Sequence, residues 1–120
     1  MTNYGISDQE LTAQGIFNKA ATHLLTQKAR AVDENSDCVL RTDDGKACAV
    51  GCLLRDDEIT SECVSESACC TVSRLPKFEP FVQLLRDLQD VHDGEQPDGW
   101  LDSLRRVARL HSLAMPEVTP

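Results

Sequence analysis

Three stretches of the sequence repeat apolar residues at three- and four-residue intervals, the spacing that places side chains on one face of an α-helix. The first predicts a helix from about residue 9 or 13 to residue 30, with Thr12 as a candidate cap. The second ends at residues 93–94, and His92 lies near that end, where the helix dipole favours a cation. The third follows Asp98, its candidate cap. The predicted inward-facing residues are Ile16, Phe17, Ala20, Ala21, Leu24 and Leu25, then Phe81, Leu84, Leu85, Leu88 and Val91, then Leu101, Leu104, Val107, Ala108 and His111.

A β-hairpin is predicted between the first two helices. Residues 42–45 read Thr-Asp-Asp-Gly and separate two short apolar runs, residues 38–41 and 46–50. An Asp-Gly step between such runs is typical of a hairpin turn, because both residues tolerate positive φ. We therefore predict an α+β fold with an N-terminal helix, a β-hairpin, a variable segment at 58–78 and a C-terminal helical pair. The length suits a single domain, residues 1–120, with residues 116–120 as a loose tail.

The charge of the chain is strongly negative, with a formal value of −8 at pH 7. Residues 33–66 hold ten acids against three bases. A protein this acidic is repelled by nucleic acids and anionic membranes, so we expect it to bind neither directly. We expect instead a partner protein with a basic surface. The residues predicted to contact that partner are Asp43, Asp44, Asp56, Asp57, Glu58, Glu62 and Glu66. A solvated acidic face that keeps the chain soluble is the open alternative.

The first residues of the chain lack the basic and apolar regions of a secretory signal peptide. No apolar run approaches the roughly 18 residues that a membrane-spanning helix needs. These features predict a cytoplasmic protein, in which the six cysteines are reduced by default.

The cysteines and histidines raise the question of a metal or active site. The closest cysteine pairs do not match the usual spacing of structural zinc ligands, so we expect no cofactor. If zinc does bind, the candidate ligands are His23, Cys38, Cys48 and Cys52. His23 with Cys38 and Cys48 is also a candidate ligand-binding or catalytic group. No glycine-rich nucleotide-binding motif accompanies these residues.

Several stretches of the sequence together carry a resemblance to a known family of proteins. Residues 16–27 read I-F-N-K-A-A-T-H-L-L-T-Q, and residues 44–54 read D-G-K-A-C-A-V-G-C-L-L, with Cys38 between them. Residues 84–93, L-L-R-D-L-Q-D-V-H-D, and Trp100 complete the pattern. The chain resembles a family of short, largely uncharacterised proteins encoded by bacteriophages and prophages, over about residues 11–57 and 81–113. The resemblance implies a phage or prophage accessory gene and carries no established activity.

The acidic segment and the resemblance together suggest a phage-type accessory protein that binds and inhibits a host protein. The target class we hypothesise is a nucleic-acid-binding defence complex such as CRISPR-Cas, met in the cytoplasm of the bacterial host, with the acids imitating phosphates. This hypothesis predicts no enzymatic activity. One alternative is a small-ligand, nucleotide-type binding protein or minor enzyme that uses His23 and nearby cysteines. Another is a structural zinc-bound interaction module, and the sequence leaves the oligomeric state open.

Overall fold

The computed structural model describes residues 5–32, 42, 45–54, 75–94 and 96–116, which include three α-helices. Helix α1 spans Ala13–Gln27, which confirms the first predicted helix. Thr12 caps it, because its hydroxyl oxygen accepts a hydrogen bond from the Gly15 N–H at 3.0 Å. The helix ends before residue 30 because Lys28 adopts a left-handed conformation with φ of 54°, while its N–H still bonds to the Leu24 carbonyl.

Gly15 in the first turn of α1 is required by a close approach of the backbone. A Cβ atom at this position would clash with the Glu10 carbonyl group, at the end of the 3-10 turn Asp8–Glu10. That turn is closed by Ser7, whose hydroxyl donates to the Glu10 carboxylate at 2.9 Å. Hydrogen bonds from the Ser7 side chain and backbone lower the pKa of Glu10. The glycine therefore lets the capped turn fold back onto the start of α1.

The predicted C-terminal helical pair is also confirmed. Helix α2 spans Val82–Gly94 and helix α3 spans Trp100–Leu110. Each follows a 3-10 turn that contains proline, Pro76–Phe81 before α2 and Pro97–Gly99 before α3. Proline suits such positions because its φ is fixed and the first N–H groups of a helix have no partner within the helix.

Two predicted details of α3 are wrong. Gly99, and not Asp98, occupies the N-cap position, and no side chain caps the helix there. Leu101 is 36% exposed, whereas its neighbour Trp100 is fully buried. The inward face of α3 is therefore rotated by one residue at its start, with the indole in the place predicted for the leucine.

The predicted β-hairpin, and with it the α+β class, is wrong, because the described residues contain no strand and the fold is mostly helical. The described residues of the predicted turn are bonded to residue 46: the Thr42 N–H donates to the Lys46 carbonyl at 2.9 Å, and Gly45 has φ of 92°. After it the chain makes only an isolated bridge at Ala47 and enters a 3-10 turn, Gly51–Leu53. The predicted first strand, residues 38–41, lies outside the described residues.

Side chains from the helices take the place of a partner strand for residues 46–54, which we call the anchored segment. Gln27 accepts a hydrogen bond from the Ala47 N–H at 3.0 Å and donates to the Ala47 carbonyl at 3.0 Å. Gln89 on α2 accepts from the Val50 N–H at 3.2 Å. A side-chain amide carries both donors and an acceptor, so it can satisfy a backbone peptide as a neighbouring strand would. These hydrogen bonds satisfy backbone groups of the anchored segment and allow residues 47–54 to be buried in the core.

The hydrophobic core lies where α1 packs against α2, α3 and the turn Gly51–Leu53. Its largest fully buried side chains are Trp100, Phe17, Phe78, Ile16, Leu24, Leu53, Leu54, Leu88, Leu104, His92 and Val50. Within the described part of the chain, none of the helices has both the length and the apolar character needed to cross a membrane. Of the predicted variable segment only residues 75–78 are described, and residues 117–120 of the predicted tail are not.

Candidate functional site

The residues predicted to contact a basic partner fall outside the described ranges. They are Asp43, Asp44, Asp56, Asp57, Glu58, Glu62 and Glu66. What the structure describes is the anchored segment that lies between them in the sequence. Residues 47–54 of that segment are all buried. Acidic residues therefore precede and follow a stretch of chain that is fixed in the core.

His23 on α1 contacts the backbone of the anchored segment. Its Nε2 lies 2.7 Å from the Ala47 carbonyl oxygen, which only accepts, so Nε2 carries a proton and donates it. The same carbonyl also receives the Gln27 amide. His23 is thus the second α1 side chain that holds Ala47 in place.

The two described cysteines of the predicted site are buried thiols outside any disulfide. Burial raises the pKa of the Cys48 thiol to about 12, and its sulfur accepts the Gly51 N–H at 3.2 Å. Cys52 donates its thiol to the Ala49 carbonyl at 3.1 Å. A nucleophilic or metal-binding cysteine acts as the thiolate, which the surroundings of Cys48 disfavour. Both cysteines therefore form hydrogen bonds that stabilise the backbone around the turn Gly51–Leu53.

The zinc prediction is only partly open to comparison with the structure, because Cys38 is outside the described residues. Among the residues that are described, no group of three or more histidines, cysteines or carboxylates is placed to hold a metal ion. His23, Cys48 and Cys52 each have a hydrogen bond within the fold.

His92 lies near the end of α2, where the helix dipole favours a cation, and the structure shows the contacts of its side chain. The imidazole is fully buried and its Nε2 accepts the Ala31 N–H at 3.0 Å, so that nitrogen carries no proton. Its Nδ1 donates to the Asp93 carboxylate at 2.6 Å. The ring stacks on Trp100 with centroids 5.7 Å apart. His92 is therefore a neutral core residue that fixes the backbone after α1.

A groove of about 260 Å³ runs between α2 and α3, and we call it the α2/α3 groove. Val91 and Val107 form its apolar base, with Asp87 and Asp90 on the α2 side. Arg106 lines the α3 side. The groove thus has an acidic wall and a basic wall over an apolar base.

The charges of the α2/α3 groove differ in whether they are already paired. Asp87 lies 2.7 Å from Nε2 of His111, and both side chains are mostly buried. Asp90 and Arg106 are exposed and form no ion pair within the described part of the chain. Leu110, at the edge of the groove, is 70% exposed. The groove therefore presents one free acid, one free base and one projecting apolar side chain to solvent.

Comparison with protein-family models, with curated proteins and with solved structures found no significant match to this chain.

The sequence did not indicate which residues organise the anchored segment and the α2/α3 groove. Gln27 and Gln89 read as ordinary polar positions on amphipathic helices, and their backbone partners are 20 and 39 residues away. No local pattern signals such a pair. The sequence predicts that α2 and α3 are a helical pair, and such a pair can bring acids of one helix beside bases of the other. The sequence does not predict the register that places Asp90 and Arg106 on the same groove.

Proposed function

We propose that this chain is a phage-type accessory protein that binds a host protein through an acidic surface and inhibits it. The observation that carries the proposal is the charge: −8 overall, with ten acids and three bases in residues 33–66. Such a segment attracts a basic surface at long range and raises the rate of encounter. Nucleic-acid-binding proteins present such surfaces, so the proposed target is a nucleic-acid-binding defence complex of the CRISPR-Cas type.

The anchored segment supports this proposal by its position between two acidic runs. Ala47, Val50 and their neighbours are buried and hydrogen-bonded to α1 and α2. Asp43 and Asp44 come just before it in the sequence, and Asp56 follows it closely. Acids attached to a fixed stretch of backbone lose less conformational entropy when they bind than acids on a long free chain. The arrangement suits a binding surface.

The chemistry of the described residues favours binding over catalysis. His23 donates to a backbone carbonyl, and burial holds the pKa of Cys48 at about 12. His92 is buried and accepts a backbone N–H. An active nucleophile needs a thiolate or a base within reach of a reacting group. These side chains are instead used to hold the anchored segment and the chain after α1.

The first test is an affinity purification of the tagged protein from a bacterial lysate, with and without nuclease. We expect a basic, nucleic-acid-binding protein to be recovered in both samples. Its binding should weaken as salt rises, since exposed charges are screened over a Debye length of about 8 Å at physiological ionic strength.

Charge reversal tests whether the acidic segment makes the contact. A variant with Asp56, Asp57 and Glu58 changed to lysine should lose most of the binding. The matched control changes Glu79, Asp98 and Asp102 to lysine, because these acids are exposed, lie outside residues 33–66 and give the same change in net charge. If both variants lose binding equally, net charge alone is responsible and the proposed surface is wrong. Binding that is indifferent to salt and to both variants would also contradict it.

A further inference from the structure

The ring of His92 uses one of its nitrogens as a hydrogen-bond acceptor inside the core. Its Nε2 accepts the Ala31 N–H at 3.0 Å, and its Nδ1 lies 2.6 Å from the Asp93 carboxylate. The side chain has no exposed surface, so water cannot take the place of either partner. Since a backbone N–H only donates, the bond to Ala31 exists only while Nε2 carries no proton.

The other two histidines of the chain have contacts that a second ring proton does not disturb. His23 already donates from Nε2 to the Ala47 carbonyl oxygen, at 2.7 Å. Nε2 of His111 lies 2.7 Å from the Asp87 carboxylate, and a contact of this kind becomes stronger when the ring is charged. A histidine side chain ordinarily titrates at about pH 6.5. Mild acid therefore acts against the Nε2 bond of His92 and leaves these two contacts in place.

The elements packed around His92 bring charges of both signs near it. The Asp93 carboxylate, on the same helix, accepts from Nδ1 and pairs equally well with a cationic ring. Arg30, on the segment after α1, donates from Nε to the backbone carbonyl of His92 at 3.2 Å. On the anchored segment the Cys48 thiol is neutral, since burial raises its pKa to about 12, and Trp100 on α3 stacks on the ring without a charge. A protonated ring therefore keeps its partner at Nδ1 and loses only the bond at Nε2.

We propose that His92 is a pH-sensitive latch that holds the chain after α1 at neutral pH and releases it in mild acid. When Nε2 takes up a proton, its N–H and the Ala31 N–H face each other with no acceptor between them, so the Ala31 peptide must leave the ring. The acidic segment, residues 33–66, begins two residues later in the sequence. The latch therefore acts at the point where that segment starts, and the proposal does not depend on the identity of any partner.

The direction of the pH effect follows from where the proton binds. The closed latch excludes a proton from Nε2, whereas the open latch takes it up as an ordinary imidazole does. Opening therefore becomes more favourable as the pH falls below about 6.5, by up to about tenfold for each pH unit. Above that pH the contribution of the latch to stability is complete. Carboxyl groups, which ordinarily titrate at about pH 4, stay ionised while the latch opens.

The decisive experiment is nuclear magnetic resonance of the full chain in reducing buffer, from about pH 7.5 to about pH 5.5. Imidazole nitrogen shifts report which ring nitrogens carry protons, and amide hydrogen exchange, expressed as a protection factor, reports how often each peptide opens. We expect the protection factor of Ala31 to fall about tenfold over this range as the His92 ring takes up its proton. Low concentrations of urea should hardly change it, because a local opening exposes little surface.

Two variants with the same replacement separate the latch from other effects of acid. His92→Gln keeps an oxygen that can accept the Ala31 N–H and has no group that titrates in this range, so protection of Ala31 should become independent of pH. His23→Gln is the matched control and should leave the pH dependence of Ala31 as it is in the wild type. Circular dichroism checks that both variants remain helical.

The wild-type titration decides the proposal even if His92→Gln fails to fold. A His92 ring that gains its second proton while Ala31 stays fully protected would overturn the latch, and so would a ring that takes up no proton at about pH 5.5. Exchange of Ala31 with the same rate and urea dependence as the slowest amides would show that only global unfolding opens it, which also contradicts the proposal. A folded His92→Gln variant that keeps the wild-type pH dependence would do the same.

Discussion

Two glutamines of α1 make nearly the same pair of hydrogen bonds in different surroundings. Gln27 bonds to the N–H and carbonyl of Ala47, both at 3.0 Å. Gln14, near the other end of the helix, bonds to the N–H and carbonyl of Ala114, both at 2.9 Å. Ala47 is fully buried, whereas Ala114 is exposed. The two pairs of hydrogen bonds have nearly the same lengths, and the peptides that they hold differ in their access to water.

The difference in burial between Ala47 and Ala114 indicates where the stability of this fold depends on a single side chain. Water can replace Gln14 at Ala114, so the free energy lost with those two hydrogen bonds is small. No water reaches the Ala47 peptide, so its N–H stays unpaired when Gln27 is removed. His92 extends the comparison, since it satisfies the buried Ala31 N–H. Substitutions that leave a buried peptide group without its side-chain partner should therefore have the largest effects on stability.

The largest effect is expected for His92→Phe. The change keeps an aromatic ring against Trp100 and leaves the buried Ala31 N–H without an acceptor. We expect the free energy of unfolding to fall by about 3 kcal/mol, the upper part of the range for a buried unsatisfied group. Urea unfolding followed by circular dichroism measures it. Asp93→Asn is the control and should be nearly neutral, because an amide oxygen still accepts from Nδ1; equal losses in both variants would contradict the role of Nε2.

Gln27→Leu should cost somewhat less. The Ala47 N–H loses its partner, but the Ala47 carbonyl keeps the bond from His23. We expect a loss of about 2 kcal/mol in the free energy of unfolding. Amide hydrogen exchange at Ala47 should become faster in the same variant. Thr26→Leu, a neighbouring exposed position on α1, is the matched control and should change stability by only a few tenths of a kcal/mol, about the effect of an ordinary surface substitution.

The helices could be predicted from the sequence because their bonding is local. Stripes such as Leu84, Leu85 and Leu88 repeat within a helix, and the cap of α1 is formed by a residue next to it. The apolar run at residues 46–50 gave a false signal for a strand. A short apolar run shows that a segment is buried and does not show what pairs with its backbone. Here Gln27 and Gln89 pair with it across long sequence distances.

The candidate sites also include features that the sequence reveals and features that depend on distant contacts. His23 and Cys48, which the sequence analysis grouped as a candidate site, each form a hydrogen bond with the backbone of the anchored segment. Their roles depend on burial and on the position of Ala47, which no local pattern contains. The acidic residues were found from composition alone, because a charge excess needs no knowledge of contacts. Composition does not indicate which side chains they lie beside, so the acidic surface stays a prediction.

The buried Cys48 thiol should make the stability of the fold depend on pH. Burial raises the pKa of its thiol from 9.0 to about 12, so the unfolded chain loses this proton before the folded chain does. Stability from this group is complete below pH 9 and is lost as pH rises toward 12, with a slope of about −1.4 kcal/mol per pH unit between these values. Urea unfolding at a series of alkaline pH values measures the slope. Cys48→Ala should remove that part of it; an unchanged slope would show that Cys48 is not the group responsible.

The smallest effect is expected for Gln14→Leu. Both hydrogen bonds to Ala114 are lost, but the exposed N–H and carbonyl turn to water, so the free energy of unfolding should fall by only about 0.5 kcal/mol. The tail after α3 should loosen locally, and amide exchange at Ala114 should speed up while exchange at Ala47 does not. A loss as large as that of Gln27→Leu would contradict the role assigned to burial. The hydrogen-bond geometry, and not burial, would then determine how much free energy of unfolding each glutamine contributes.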